Sequence, residues 1–472
     1  MNWTLFSPEL FFLVAAMVFL VVSMTGRPDP ERDYLTAVVL AAIGLGICLA
    51  CLPLRGDLFQ GAYRVDLFSQ TFKTLLAMGF FLIVCVCNDL AGIAEDHHPE
   101  FYLLLTVSTL ALMLLVSCVH LLPLYVALEL SSYSLYVLVY LRVDPRQGIS
   151  AGLTYFLIGA TASAVMIFGL ALLYGAAQSA YLADLMTILP GLLHQPMVAI
   201  GLLLTLAGFF FKLAVFPFHF WAPDVYQGAA HQAAATIATV SKVAAIAVLM
   251  RLTALTGGAG TFATDALVAL AIVSMTVGNL SAIVQKDFKR LMAYSSIAQA
   301  GYVLIGILSM TPAGYGGAVF YALALLVMKF TCFLVLIVAA GGGRNMAIAD
   351  LAGLHRRSPI LALALMMAVF SLAGIPPTIG FTGKFLVFKA AIAQGHVNLV
   401  LIAMVNVVIS LYFYLLVVRA AYLTEPQDAL PPLAVPPLTR GLAFFLVALT
   451  VLAGLYPTPL IVWADAAARG LM

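Results

Sequence analysis

The chain has 472 residues, of which 64% are hydrophobic and 9% charged, with a formal net charge of +2 and a mean hydropathy of +1.10. No soluble domain hides that much apolar surface, so the composition defines a polytopic membrane protein. The charge balance gives no support for a nucleic-acid partner, and no basic tail or long soluble stretch is present to hold a second activity.

A helix needs about 20 apolar residues to cross a hydrocarbon core about 30 Å thick, and in lipid it must satisfy its own backbone hydrogen bonds. Runs of that length between polar or turn-forming breaks number about 14: residues 9–25, 35–54, 68–88, 101–119, 121–141, 150–174, 198–221, 233–255, 266–284, 291–309, 314–340, 359–392, 397–420 and 440–464. The expected fold is therefore all-α. The first run has no basic residue before it and no clear small-residue cleavage site, so it reads as a retained helix of a mature chain that begins at Met1. Cys48, Cys51, Cys85, Cys87, Cys118 and Cys332 all fall inside apolar runs, at spacings that match no zinc or iron–sulfur pattern, and read as small core residues.

Lysine and arginine are retained on the cytoplasmic side of a membrane protein. The breaks and segment ends after odd-numbered segments hold Arg27, Arg32, Arg142, Arg146, Lys286, Lys289, Arg290, Arg344, Arg356, Arg357, Arg419 and Arg440, whereas those after even-numbered segments hold only Arg55, Arg64, Arg251 and Arg469. The bias predicts both termini outside the cytoplasm. The acidic loop at 95–100, EDHHPE, does not bear on this, because acidic residues count for little in the rule.

Six lysines stay within the apolar runs. A charge at the bilayer centre costs on the order of 3 kcal/mol, so each is a functional candidate unless it can snorkel to the headgroups. Lys73 in the third segment and Lys389 in the twelfth are read as snorkelling. Glu129, ninth in the fifth segment, is too deep for its short side chain to reach water, so it is either neutral or faces a cation on another helix. In the seventh, GFFFKLAVFPFHFWAPDVY (208–226), Lys212 precedes Pro217 by just over one turn. The proline removes a donor and clashes with the carbonyl four residues back, which breaks the helix near Leu213 and frees carbonyls that need partners. Such a break persists in a membrane only where protein or a watery cavity surrounds it, so a lysine there can be hydrated and exchange a proton. Lys242, tenth in the eighth segment, lies about 14 Å deep at about 1.5 Å per residue, beyond snorkelling reach. Lys329 is deep in the eleventh. The twelfth repeats the device: Gly374, Pro376, Pro377, Gly380 and Gly383 interrupt the run beside Lys384. Paired interrupted segments mark the translocation path of transporters. Desolvation and pairing shift buried acids and lysines in opposite senses, so small changes of geometry can reverse their protonation, which is the physics of a proton relay. A static buried ion pair that fixes helix packing is the competing reading.

WAPDVYQGA (221–229) followed by ATVSKVAAIAVLMRL (238–252), KRLMAYSSIAQAGYVLIG (289–306) and GIPPTIGFTGKFLVFKAAI (374–392) resemble the antiporter-like subunit N of respiratory complex I, the NADH:quinone oxidoreductase, over essentially the whole chain. The GIPP stretch with its following GK is shared with subunits M and L and with Mrp-type cation/proton antiporters. The resemblance implies one integral membrane domain, 1–472, with an N-terminal three-helix part (1–100), two inverted five-helix repeats (101–255 and 266–420), each with a broken helix, and a final helix (440–464). It implies a charged, hydrated axis in the membrane plane, with Glu129 and Lys212 as coupling pair, Lys242 as connector and Lys384 as terminal site. It also implies a subunit of a proton-translocating enzyme that holds no cofactor or metal itself, with NAD, FMN, iron–sulfur clusters and quinone in partner subunits. Neighbouring subunits M and K are the expected partners, and a bacterial inner membrane the expected location, with both termini periplasmic.

Two departures stand out. After Val225 and Tyr226 the family commonly has a proline-containing stretch, whereas this chain reads QGAAHQAAATIATV, so the start of helix 8 is expected to be built differently. Lys329 stands where subunit N often lacks a lysine, and is weighed between an extra relay site and a lysine paired to a polar neighbour. His219 and His231, with unperturbed pKa values near neutrality, are weighed between proton conduction and loop or interface roles. The competing functions are an Mrp-type antiporter subunit, the same subunit in a complex fed by ferredoxin or another donor, and a structural scaffold. Deep ionisable residues disfavour the scaffold. A sodium carrier calls for a cage of hard oxygen ligands, and Glu129 is the one deep carboxylate expected.

Overall fold

A computed structural model describes residues 3–24, 29–257, 261–426 and 431–471; Met1 and Arg27 lie outside the described residues. The N-terminal part comprises α1 (Ser7–Met24), α2 (Pro30–Ala50), a short antiparallel hairpin of β1 (Gly56–Leu58) and β2 (Tyr63–Val65), and α3 (Leu67–Cys85). The first repeat runs through α4 (His98–Ser117), α5 (Leu121–Tyr140), α6 (Pro145–Ala177), α7 (Leu182–Leu192), α8 (Pro196–Leu213), α9 (Trp221–Gly228), α10 (His231–Ala238) and α11 (Val240–Ala254). The second contains α12 (Thr261–Ile283), α13 (Phe288–Leu308), α14 (Pro312–Ala340), the single turn α15 (Leu354–Arg357), α16 (Pro359–Ala373), α17 (Ile379–Ala393) and α18 (Val397–Leu423), and α19 (Pro437–Leu455) and α20 (Thr458–Arg469) follow. Each repeat crosses five times, an odd number, so the second starts on the opposite side from the first and is inverted relative to it.

Among the described residues 13 helical stretches are long and apolar enough to span a membrane. The remaining crossing is the α16–α17 pair, neither half of which is long enough alone. Starts are set by local chemistry. Asp29, Asp66, Asp144, Asp287 and Thr311 each accept the backbone N–H three residues on, and proline occupies the first turn of α2, α6, α8, α14 and α16, where its missing donor costs nothing. The run at 440–464 is divided at Tyr456–Pro457, because the proline cannot continue the ladder of α19. The short α7, α9 and α20 were not anticipated.

The interior lies where α11, α13 and α14 meet. Every residue of α11 is buried, including Lys242 and Arg251, so this helix shows no amphipathic stripe. Small residues bring helices together: a Cβ added at Gly169 of α6 would lie 2.4 Å from the Thr205 nitrogen of α8.

Two of the expected loop cations are buried clamps. Arg142 donates to the Gln227 carbonyl at 2.6 Å and the Ala229 carbonyl at 3.2 Å, and Lys289 donates to the same Ala229 carbonyl at 2.8 Å. Lys73 does not snorkel. It is fully buried, 2.8 Å from Glu9 of α1, and lies 5.0 Å from the Tyr63 ring centre, while the Tyr63 hydroxyl donates to the same Glu9 oxygen at 2.7 Å. Packing of α1 and β2 over α3 closes its route to the headgroups. Glu9 and Asp33 are therefore buried carboxylates besides Glu129. Lys389 is exposed on α17, as snorkelling requires.

Candidate functional site

Both breaks end in the same way. Ala214 takes a left-handed conformation (φ 61°, ψ 43°), and Val215 donates to the Phe210 carbonyl at 2.8 Å. Gly374 does likewise (φ 90°, ψ 41°), and Ile375 donates to the Phe370 carbonyl at 3.0 Å. These bonds satisfy carbonyls one turn back but leave those at the helix tip, Leu213 in α8 and Leu372 and Ala373 in α16, with no backbone N–H partner among the described residues.

Lysines take those carbonyls. Lys242 Nζ donates to the Leu213 carbonyl at 2.6 Å and lies 5.9 Å from the Trp221 ring centre. Lys384 Nζ donates to the Leu372 carbonyl at 2.8 Å and the Ala373 carbonyl at 3.0 Å, with the Tyr302 ring centre at 4.6 Å. Gly374 makes this fit possible, since a Cβ there would lie 3.1 Å from Lys384 Cδ. Pro217, Pro376 and Pro377 thus act through the carbonyls they set free.

Lys212 is turned away from its break. Its Nζ donates to Ser131 Oγ at 2.5 Å and Ser132 Oγ at 3.0 Å on α5. Glu129 lies one turn earlier on α5 and accepts from the Ser163 hydroxyl of α6. No ion pair within 4.0 Å joins Glu129 to Lys212, nor any carboxylate to Lys242, Lys329 or Lys384, among the described residues. Lys329 of α14 repeats the Lys212 arrangement in the second repeat: it donates to Ser295 Oγ of α13 at 2.7 Å and to the Met292 carbonyl at 3.0 Å. Lys242 and Lys329 line one cavity that leaves about 20 Å³ for the centre of a water molecule, room for about one water.

The histidines stand elsewhere. His219 lies between Phe216 and Phe220, ring centres 5.5 and 4.1 Å away. His231 opens α10, and its Nε2 lies 3.0 Å from the Arg344 carbonyl. At the start of the eighth crossing, α10 and α11 are separated at Thr239 (φ −120°, ψ −79°), one turn before Lys242. Ser131, Ser132, Ser295, Gln299 and Tyr414 were missed by sequence reasoning. The signal available was a hydroxyl or amide in an otherwise apolar run, which gains meaning only once its partner lysine is known.

Burial penalises a charged amine, while hydroxyl and carbonyl acceptors favour it. With no counterion in contact among the described residues, neutral oxygens alone hold these lysines. The fold and site define a class, a helical membrane protein with buried, carbonyl- and hydroxyl-held lysines in each of two inverted repeats.

The comparisons agree with the fold. The family described as "NADH:quinone oxidoreductase/Mrp antiporter, TM" matches residues 118–410. The chain is 62% identical over 472 residues, 100% of both chains, to NADH-quinone oxidoreductase subunit N 2 of Syntrophobacter fumaroxidans. It is 44% identical over 460 residues, 96% of each, to the protein of the same name from Solidesulfovibrio magneticus. A chain of respiratory complex I from Thermus thermophilus with bound aureothin matches with a TM-score of 0.84 at 34% identity, covering 96% of this chain and 98% of that one. A chain of the Mrp complex from Dietzia sp. DQ12-45-1b shares the fold, with a TM-score of 0.88 at 20% identity, covering 100% and 98%. The chain belongs to the NADH:quinone oxidoreductase/Mrp antiporter membrane family, among its NADH-quinone oxidoreductase subunit N members.

Proposed function

We propose that the chain is the proton-translocating, antiporter-like subunit N in the membrane arm of a complex I-type NADH:quinone oxidoreductase. Electron transfer falls to partner subunits that hold NAD, FMN, iron–sulfur clusters and quinone, and this chain moves protons. It sits in a bacterial inner membrane beside subunits such as M and K, with both termini periplasmic. The names of its relatives support the complex, and 62% identity to a subunit N favours it over an Mrp antiporter, for which the likeness is one of fold.

One observation carries the relay: four buried lysines without a contacting counterion, all held by neutral oxygens. Glu129 and Lys212 form the coupling pair without direct contact, Lys212 held by Ser131 and Ser132 and Glu129 by Ser163. Lys242 and Lys329 exchange protons across the cavity they share, and Lys384 is the terminal site. Protonation of one lysine disfavours protonation of the next, since like charges roughly 10 Å apart repel by about 1.7 kcal/mol at an effective dielectric of about 20. His219 and His231 have aromatic and loop partners and are assigned packing roles.

The test is the purified whole complex in proteoliposomes, with protons moved per electron measured during NADH oxidation. Lys242→Ala is expected to lower that ratio in a fully assembled complex. An unchanged ratio overturns the relay, and loss of the complex from the membrane supports a packing role instead.

A further inference from the structure

Gln299 of α13 is almost fully buried and has the relay on either side of it. It lines the cavity that Lys242 and Lys329 share. Its Nε2 donates to the Leu372 carbonyl at 3.0 Å, the carbonyl that Lys384 also holds, and reaches the Tyr414 hydroxyl at 3.4 Å. Its Oε1 accepts from the Tyr321 hydroxyl. This orientation is dictated by its neighbours, because a carbonyl can only accept and so must face the amide nitrogen. Ser295, one turn earlier on α13, shares a hydrogen bond with Tyr414 and accepts from Lys329. An unbroken series of contacts therefore runs from Lys329 through Ser295, Tyr414, Gln299 and the Leu372 carbonyl to Lys384.

A carboxamide neither takes up nor releases a proton near neutral pH, so Gln299 is no carrier. What it can do is share one acceptor with Lys384, the Leu372 carbonyl, whose two lone pairs take both donors. A charged Lys384 has three donors and holds both tip carbonyls. A neutral Lys384 donates more weakly and carries a lone pair that needs a donor, so it turns from Leu372, whose buried carbonyl would be costly to leave unpaired. Gln299 is already in place to keep it satisfied.

We propose that Gln299 is the positioning residue of the Lys329-to-Lys384 step. It holds Tyr414 against Ser295 and keeps the Leu372 carbonyl satisfied when Lys384 is neutral. The proton gained by the Lys384 amine is the one lost by the Lys329 ammonium. The hydroxyls of Ser295 and Tyr414 each accept one proton as they pass on their own, and water spans the gap to Lys384. This inference rests on the relay reading above.

The experiment uses the intact complex in proteoliposomes, with protons moved per electron measured against pH for Gln299→Leu, Tyr414→Phe, the double variant and Lys384→Met. Gln299→Leu is expected to lower the ratio about tenfold. It should also move the limb of the pH profile up by about one unit, because the Leu372 carbonyl then depends on a charged Lys384. The double variant is expected to be no worse than the more severe single one, as for two residues acting in one step. A wild-type ratio and pH limb for Gln299→Leu, or strictly additive losses, overturns the proposal. Should Gln299→Leu fail to assemble, Tyr414→Phe, which removes one hydroxyl, decides alone, and a wild-type profile there overturns it. A wild-type ratio for Lys384→Met would sink the relay reading itself, whereas an impaired Lys384→Met beside an unaffected Gln299→Leu sinks only the role of Gln299.

Discussion

Replacing Lys384 by methionine keeps the length of the stem and removes the amine. The Leu372 carbonyl retains Gln299 at 3.0 Å, whereas the Ala373 carbonyl loses its lysine donor. One buried carbonyl left unpaired costs about 1–3 kcal/mol, less if water reaches it, so the variant is expected to assemble with a modest loss of thermal stability. Its pumping is expected to fall at least tenfold, equivalent to about 1.4 kcal/mol on the barrier. Lys384→Arg keeps the charge and can hold both carbonyls, but a guanidinium does not release its proton. The space is also tight, since a Cβ at Gly374 would already lie 3.1 Å from Lys384 Cδ. Arginine is therefore expected to pump as poorly as methionine while preserving stability better. Lys389→Ala, on the exposed face of α17, serves as the control and should change neither quantity. The assays are protons moved per electron in proteoliposomes and thermal unfolding of the purified complex. A Lys384→Met complex that pumps at the wild-type ratio would refute the reasoning.

Glu129→Ala and Lys212→Ala are each expected to reduce pumping, with the double variant losing less than the sum, by a coupling of about 0.5–3 kcal/mol; strict additivity in proteoliposomes would separate them. Lys329→Met should impair pumping about as strongly as Lys242→Ala, and normal pumping would show that the relay bypasses α14. Lys73→Met leaves Glu9 buried without its ion-pair partner, so a loss of about 3–5 kcal/mol is expected. Glu9→Gln in the same chain should restore part of it, and thermal unfolding that shows no such rescue would count against the pair.

Apolar run length, proline and glycine placement and the depth of each lysine are local quantities, and they carried the membrane class, the crossings and both helix breaks. The run at 359–392 shows the reach of that reasoning, for the residues that interrupt it are the ones that divide α16 from α17. Partner choice was not legible, because it depends on which helix packs beside which. Pro217 announces freed carbonyls near Leu213, but nothing in the chain says that Lys242, rather than Lys212, would take one. Lys73 looked able to snorkel because its depth could be counted, while the α1 helix that covers it could not. Gln299 and Tyr414 are ordinary polar residues in apolar runs until α13, α16 and α18 meet. Depth along a helix follows from the count of residues, so the sequence by itself determined that Glu129, Lys212, Lys242, Lys329 and Lys384 lie deep, but not that neighbouring elements would bury Lys73, Arg142 and Lys289. The direction of a side chain and the identity of its neighbour follow from helix rotation and packing, so only the tertiary structure decided which of those groups touch.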